Sequence, residues 1–516
     1  MASKPWEYPA FSLTMALGFG PGEHTRGRGT SFQLHSFRFE NSMAHPFKVL
    51  RGTLPGIATL LVVVGCKVGP SFTPQAPPKL TEFSATPLPD ATVGDAQRFL
   101  KGQAVPAAWW TTFGSPELNR RMDLALAHSP TLASAQAAVR RAREDLVAAG
   151  GSLSPAVDAQ AGVSRSLPGP AVGIYSPYTI YSATLNVSYT LDLFGGTRRR
   201  VEGLQAQVDL RRWLLTGTYL SLTSNVAIAT VQEASLAEQL QAARDVAALL
   251  EEQTALTGRQ VEIGVKSQGD LLALQAQLAA SRAILPPLAQ QLEQVRNQLA
   301  VYLGGYPSET RLEPVALAGL TLPRDLPVSL PSQVVQRRPD IQAAQAQLHA
   351  ATAQVGVATA ALLPQITLGA FAGPQALTYQ DMFKGSNETW GVSFGLLQPI
   401  FHGGALRAQK RGAEAGVDQA LADYRQTVLV AFANVSDALN ALRFDAQTLQ
   451  AQVESEQAAA RSLDLAKAQF RIGAASYLQL LDATRSWHLA RMGLIRARAT
   501  SLSDTTALYA ALGGGF

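Results

Sequence analysis

Two stretches of this chain run far longer without a helix breaker than a globular helix needs. No proline occurs from Gly195 to Leu285, and none after Pro399. In the first stretch, apolar or small residues recur every seven positions at Val201, Val208, Leu215, Leu222, Ala229, Leu236, Ala243 and Leu250. The second repeats this at Leu421, Val428, Val435, Leu442, Leu449, Leu463 and Phe470, broken only by Glu456. A heptad sustained over this length without internal caps predicts coiled-coil helices. As one helix, residues 196–264 would extend about 100 Å, longer than an ordinary domain core.

A free-standing fibrous coiled coil does not account for what precedes each stretch. In "YSATLNVSYTLDLFG", Tyr181, Ala183, Leu185, Val187, Tyr189 and Leu191 alternate with Ser182, Thr184, Asn186, Ser188, Thr190 and Asp192. Val157, Ala159, Ala161 and Val163 alternate with Asp158, Gln160, Gly162 and Ser164. Residues 366–372 and 389–397 alternate more loosely, with small polar residues on the second face. Period-two alternation ordinarily marks a half-buried soluble sheet. Here four strands arrive as two hairpins inside an otherwise helical chain, each about the ten residues that a tilted membrane strand requires. Tyr175, Tyr178, Tyr181, Phe371, Tyr379, Phe383, Trp390 and Phe401 cluster near their ends, as in the interfacial girdles of a barrel. Four strands cannot close a barrel, because an open edge in lipid leaves backbone groups unpaired. The expectation is therefore an oligomer, with about eight strands from two copies or twelve from three.

The two halves also resemble each other. "SPTLASAQAAVRRAREDLVAAGGSLSPAVDAQAGVS" (129–164) matches "RPDIQAAQAQLHAATAQVGVATAALLPQITLGAFAG" (338–373), and "VEIGVKSQGDLLALQAQLAASRA" (261–283) matches "FRIGAASYLQLLDATRSWHLARM" (470–492). A period this long is no solenoid unit and points to an internal duplication. Each half reads as helix, strand pair, long helix, turn, long helix.

The one cysteine, Cys66, ends an apolar run in "TLLVVVGCKVGPSFTP". A lone cysteine closes no intramolecular disulfide, and no Cys/His cluster surrounds it. Met43, Lys48 and Arg51 form a basic start, Ile57–Val64 is too short to span a bilayer, and Val63-Val64-Gly65-Cys66 resembles a bacterial lipobox. On this reading residues 1–65 are removed and the Cys66 thiol carries a diacylglycerol. The chain's 43 basic and 38 acidic residues then lose six and three, leaving 37 and 35. So small an excess gives no nucleic-acid footprint. No later apolar run appears long enough for a membrane helix. His128, His349, His402 and His488 are far apart, and "LFGG" and "FHGG" lack the context of a phosphate loop, so neither a metal centre nor catalysis is expected.

Together these residues resemble the TolC-like outer-membrane factors, of the OprM/NodT type of outer-membrane efflux lipoproteins. The likeness runs from Cys66 to about Ala510. It rests on "CKVGPSF" (with Phe72 where tyrosine is usual), "AWWTTFGSPELNRRMDLALAHSPTL", "LDLFGGTRR", "RRPDIQAAQAQL", "QPIFHGGALRA" and "GAASYLQLLDATRS". The resemblance implies a mainly α chain with a small β part. A homotrimer would build a twelve-stranded outer-membrane β-barrel continued by a periplasmic α-helical tunnel, with an equatorial domain. Residues 66–115 would form an extended lipidated segment, 116–303 the first repeat, 304–333 an equatorial linker, 334–504 the second repeat and 505–516 an equatorial tail.

The implied function is the exit duct of a tripartite efflux pump for drugs or other small toxic solutes. Its partners would be a periplasmic adaptor and an inner-membrane pump, with no cofactor beyond the covalent lipid on Cys66. The alternatives are the outer-membrane component of a type I protein secretion system and a non-conducting structural coiled coil. By the same resemblance, Gly264, Val265 and Ser267 with Gly473, Ala474 and Ser476 form adaptor-docking tips. Tyr477, Leu478, Asp482 and Arg485 form the periplasmic gate. Leu478 and Asp482, four apart, share a helix face. Where one subgroup has a second aspartate this chain has Gln479, while the first tip carries Asp270 at the matching position and Ala273 opposite Asp482.

Overall fold

The computed structural model describes residues 67–84, 88–93, 97–167 and 176–515. The lipobox with Cys66, the segment 1–65 and Tyr175 lie outside the described residues. In chain order the elements are β1 (Arg98–Lys101), α1 (Pro116–His128), α2 (Pro130–Gly151), β2 (Ala156–Ser166), β3 (Tyr178–Leu191), α3 (Gly196–Glu262) and α4 (Gln268–Tyr302). Then come β4 (Asp325–Val328), α5 (Pro331–Arg337), α6 (Pro339–Ala360), β5 (Gln365–Ala376), β6 (Glu388–Leu397), α7 (Ala405–Arg471) and α8 (Tyr477–Ala511). The halves match in length: 22 residues in α2 and α6, 67 in α3 and α7, 35 in α4 and α8. α3 packs between α2 and α6, and α6 between α3 and α7.

Proline and glycine set the helix boundaries. Pro116 and Pro130 open α1 and α2 behind the caps Ser115 and Ser129, whose side chains accept from Leu118 and Leu132 amides. Gly195 and Gly404, at φ 76° and 83°, turn the chain out of each hairpin into a 67-residue helix. α4 continues through Pro286 and Pro287. Leu288 and Leu292 beyond them are buried with Leu240, Ala243 and Met492, and this packing outweighs the backbone bonds the prolines remove. The expectation that no run is apolar enough for a membrane helix needs amending: α3 holds one such 18-residue window. Half of it is buried, because α3 packs on α1, α2, α6 and α8, so its apolarity is that of a core helix.

The four long strands form one antiparallel sheet in the order β2-β3-β5-β6. Its register carries one apolar face across all four. Ala159 faces Leu185, Leu185 faces Ala372, and Ala372 faces Trp390; a second row runs Val157, Val187, Ala370, Val392. This face lies open, with Trp390 at 77% and Val392 at 79% exposure. Burying one such side chain is worth roughly 1.5–3 kcal/mol, so the face demands an apolar cover. The other face carries Asp158, Gln160, Thr184, Asn186, Ser188 and Ser393. Phe371 sits on that polar face, not in an apolar girdle, because it pairs with Asn186 and covers Gly391. A carbon added at Gly391 would meet the Phe371 ring at 2.5 Å. The outer edges of β2 and β6 have no partner among the described residues.

Below the sheet, one core cluster gathers Phe99–Phe113, Leu118–Leu132, Leu303–Val334 and Ile495–Leu512 around the middle of α3 and α7. Trp109 packs on Tyr509 with ring centres 5.4 Å apart and planes tilted by 36°, and β1 pairs in parallel with β4. Arg121 is wholly buried here. It donates to Glu233 at 2.7 Å, to the Glu313 carbonyl at 2.7 Å and to Glu117 at 3.3 Å, while Arg296 reaches the other Glu233 oxygen at 3.1 Å. Removing one partner of such a buried pair costs about 3–5 kcal/mol. Nearby, burial and the neighbouring Asp504 push the Asp445 carboxyl up to about 7.

The described chain begins in a clamp beside the sheet. The Val68 amide donates to the Phe194 carbonyl at 3.1 Å, just beyond β3. Arg199, 2% exposed, donates to the Val68 and Gly69 carbonyls at 3.1 and 3.2 Å and to both oxygens of Glu202. Lys67 pairs with Glu202 at 3.0 Å, His349 lies 3.3 Å from it, and Phe72 stacks on His349 at 4.4 Å. Burial would raise the Glu202 carboxyl, but the bonds from Lys67 and His349 and the Arg199 charge hold it below the usual range. Gly69 (φ +86°) touches Gly356 closely enough that an added carbon would lie 2.5 Å from the Gly356 Cα.

Two outcomes follow. A side chain at Gly356 would begin 2.7 Å from Arg199 Cγ. Gly356→Val should therefore accelerate hydrogen exchange of the Val68 amide, and unchanged exchange would contradict the clamp. Asp445 stays protonated in the folded chain while its unfolded counterpart ionises, so its contribution falls as pH rises from about 4 to about 7 and is level above that. The melting temperature of the native chain should drop over that window relative to Asp445→Asn; parallel curves would refute this.

Candidate functional site

Each pair of long helices ends in a tight turn built from the same parts. α3 stops at Gly264 (φ 75°) and α7 at Gly473 (φ 77°). The Val265 amide bonds back to the Gln260 carbonyl at 2.8 Å, and Ala474 to Gln469 at 2.9 Å. These left-handed closures satisfy the helices' last carbonyls and need glycine. Ser267 then caps α4 and Ser476 caps α8, each in a reciprocal capping box. The partners at the third helical position are Asp270 and Gln479: the Asp270 carboxylate accepts from the Ser267 amide at 3.2 Å, and Gln479 Oε1 from the Ser476 amide at 2.7 Å. The two tip residues that depart from the resemblance thus do one job, closing a helix start. Bonds from the Ser267 hydroxyl and amide hold Asp270 below the usual carboxylate range.

Both tips present apolar residues outward. Val265, Ile263, Ile472 and Leu478 are all largely exposed, as are Ser267, Ala474 and Ser476. The two turns also touch each other. Lys266 of the first tip lies over the Tyr477 ring at 4.6 Å and the Phe470 ring at 5.4 Å, and those rings meet edge-on at 5.8 Å. Tyr477 donates to Gln253 Oε1 of α3 at 3.1 Å, and burial pushes its hydroxyl pKa upward.

The four gate residues therefore separate into two groups. Leu478 (75% exposed), Asp482 and Arg485 share one open face of α8, and neither charged group makes an ion pair or hydrogen bond among the described residues. Tyr477 faces the other way, against Val246, Leu250, Leu274 and Leu278. It joins two hairpins of one chain. Behind it, Trp487 donates to Glu456 at 3.2 Å, which explains the polar break in the second heptad. Lys266 and Gln253 were not singled out from the sequence, because nothing local marks a contact across more than two hundred residues. The S-x-x-D and S-x-x-Q capping patterns were visible there. Among the described residues no group of His, Cys, Asp and Glu is arranged to hold a metal ion.

The family described as "Outer membrane efflux protein" matches residues 122–305 and 330–514. The chain is 35% identical over 429 residues to the pyoverdine export outer membrane protein OpmQ of Pseudomonas putida, covering 81% of this chain and 90% of OpmQ. It is 28% identical to the probable outer membrane lipoprotein SilC of Salmonella typhimurium, over 90% of this chain and 98% of SilC. Among solved structures, the outer-membrane channel OprN superposes with a TM-score of 0.78 at 29% identity, covering 87% of this chain and 99% of OprN. The match spans both strand pairs, both long hairpins and both tips. This chain belongs to the outer membrane efflux protein family.

Proposed function

We propose that the chain is the exit duct of a tripartite efflux pump, a passive conduit that opens at its periplasmic tips. One observation carries this reading: a four-stranded sheet with an open apolar face and two edges unpaired among the described residues, joined to 67-residue helices. Such a sheet is sound only when lipid covers the face and other strands close the edges. Three copies give a twelve-stranded barrel, within the range of outer-membrane barrels. The polar face then lines the lumen, and α3, α4, α7 and α8 continue it into the periplasm. The equal helix lengths of the two halves support an internal duplication, which lets six similar units surround the tunnel.

An adaptor docks on the outward tips at Gly264, Val265, Ser267, Gly473, Ala474 and Ser476, where small residues leave room for another protein's hairpin. An inner-membrane pump supplies the cargo, so the duct needs no chemistry of its own. Its cargo is small solutes, drugs or other toxic molecules, chosen by the pump. OpmQ and SilC are consistent with this breadth, since the first is named for pyoverdine export and the second only as a lipoprotein. The mature chain starts at Cys66 with a lipid on its thiol. The clamp supports that start, because it bonds Val68 to Phe194 just beyond β3 and pairs Lys67 with Glu202 of α3.

Leu478, Asp482 and Arg485 form the gate, as rings across the tunnel of a trimer. Their open, unpaired state within one chain supports contacts between copies. Tyr477 serves the gate indirectly, by fixing the start of α8 to α3. In planar bilayers, Asp482→Ala and Arg485→Ala should each raise single-channel conductance above the native value; no change in either would remove the gate assignment. Cells fed labelled palmitate should lose the label on Cys66→Ala, and label that persists would refute lipidation there.

A further inference from the structure

Where the two longest helices pass the core, each turns one face towards it and the other away. Tyr219 and Val226 of α3 and Val435, Leu439 and Leu442 of α7 pack into the large cluster around Trp109. On the side away from that cluster lies an open cavity of about 1060 Å³, walled by the middle of α3 and α7, the head of α6 and the last two turns of α8. Leu214, Ser221 and Ile228 recur every seven residues along its α3 wall. The volume suits a drug-sized molecule. One end is fixed by Arg338, 7% exposed, which donates to both Asp340 oxygens and to the Ala431 and Ala511 carbonyls. This single side chain ties α6, α7 and α8 together, so the cavity is preformed within one chain.

The chemistry of the wall is one-sided. Trp213, Leu214, Ile228, Tyr302 and Ala441 make much of it apolar, and its charged side chains are Arg338, Asp340, Asp437 and Asp504. Arg338 and Asp340 neutralise each other at 2.6 Å. Asp437 and Asp504 meet no cationic side chain among the described residues. Beside Asp504 lies Asp445, one oxygen of which is buried without a hydrogen-bond partner. Ser224 in the wall, also 7% exposed, has a hydroxyl oxygen with no partner. Folded proteins leave few such groups, and their concentration here marks the place. Gly217 lies in the same wall. A carbon added to it would come no closer than 3.9 Å to Pro339, an ordinary contact, so packing within the chain does not demand glycine there. Glycine weakens a helix interior, and its effect at this position is to keep the cavity clear.

We propose that this cavity binds bulky organic cations with apolar bodies. The aromatic and aliphatic side chains take the body, and Asp437 and Asp504 take the charge. An aromatic face adds its own attraction for a cation, whereas the two carboxylates repel an anion of the same shape. The site is separate from the gate, since Asp504 stands about 33 Å along α8 from Asp482. Binding needs only one chain. That the open side of the cavity faces the tunnel rests on the duct reading, and in the duct the site is a station in the wall that concentrates cationic cargo between the tips and the barrel.

The test is protection of a thiol in the full chain in lipid nanodiscs. Ser221 and Asn225 both line the cavity and are exposed, so Ser221→Cys and Asn225→Cys are two independent reporters for N-ethylmaleimide, with labelling of the native chain as background. Tetraphenylphosphonium should slow labelling at both positions in a saturable way. Tetraphenylborate, equal in shape and opposite in charge, should not. Asp464→Cys, about 40 Å from Asp437 along α7, should be indifferent to both ions. In the Ser221→Cys background, Asp437→Asn should raise the half-protecting concentration about threefold, and Asp437→Asn with Asp504→Asn about tenfold. No protection at either reporter, equal protection by the two ions, or a concentration unmoved by the aspartate variants overturns the site. Single-channel recording of the same protein separates the two readings. Conduction without protection removes the site and leaves the duct; protection without conduction removes the duct and leaves the site.

Discussion

Backbone groups at a sheet edge must find partners, and in lipid only another strand can supply them. That requirement governs this molecule. Among the described residues its sheet has an apolar face with no protein cover and edges at β2 and β6 with no partner. Each absence would be a liability in water, and together they become a specification in a bilayer. In the proposed assembly lipid covers the face, further copies pair the edges, and the polar face closes around a wet lumen. The helices then inherit the circumference, because Gly195 and Gly404 turn directly from strand into helix.

Force and order have to pass between the membrane sheet and tips about 100 Å away. Three fixed points serve this. The clamp ties the start of the described chain to α3 and α6 beside the sheet. The Arg121–Glu233–Arg296 network and the tilted Trp109–Tyr509 pair lock the middle, where segments distant in sequence converge. At the tips, Lys266 over Phe470 and Tyr477 joins the hairpins through half-buried cation–π contacts.

Much of this was legible in the sequence because periodicity is a local signal. Alternation placed all four strands, the heptads placed α3 and α7, and Gly264 and Gly473 placed the tips. The family and its seat in the outer membrane were legible too, from motifs spread over the chain. What escaped depends on contacts between distant segments. Arg121 looks like one more charge in "NRRMD", and only the fold shows it buried beside Glu233. Tyr477 sits next to Leu478 in sequence yet faces the opposite side of α8. Phe371 belongs to the polar face because of its register with Asn186, which loose alternation in β5 does not reveal. Asp270 and Gln479 were readable as caps, but their place in a gate motif drew attention to charge instead.

On the proposed reading this chain forms a closed, conducting barrel only as an assembly. Electron cryomicroscopy of the full-length protein in lipid nanodiscs tests it most directly. The account predicts a barrel closed by three copies, four strands from each, with the helices of every copy continuing one tunnel. A single chain in the disc with β2 and β6 unpaired, or a sheet lying outside the bilayer, would contradict it.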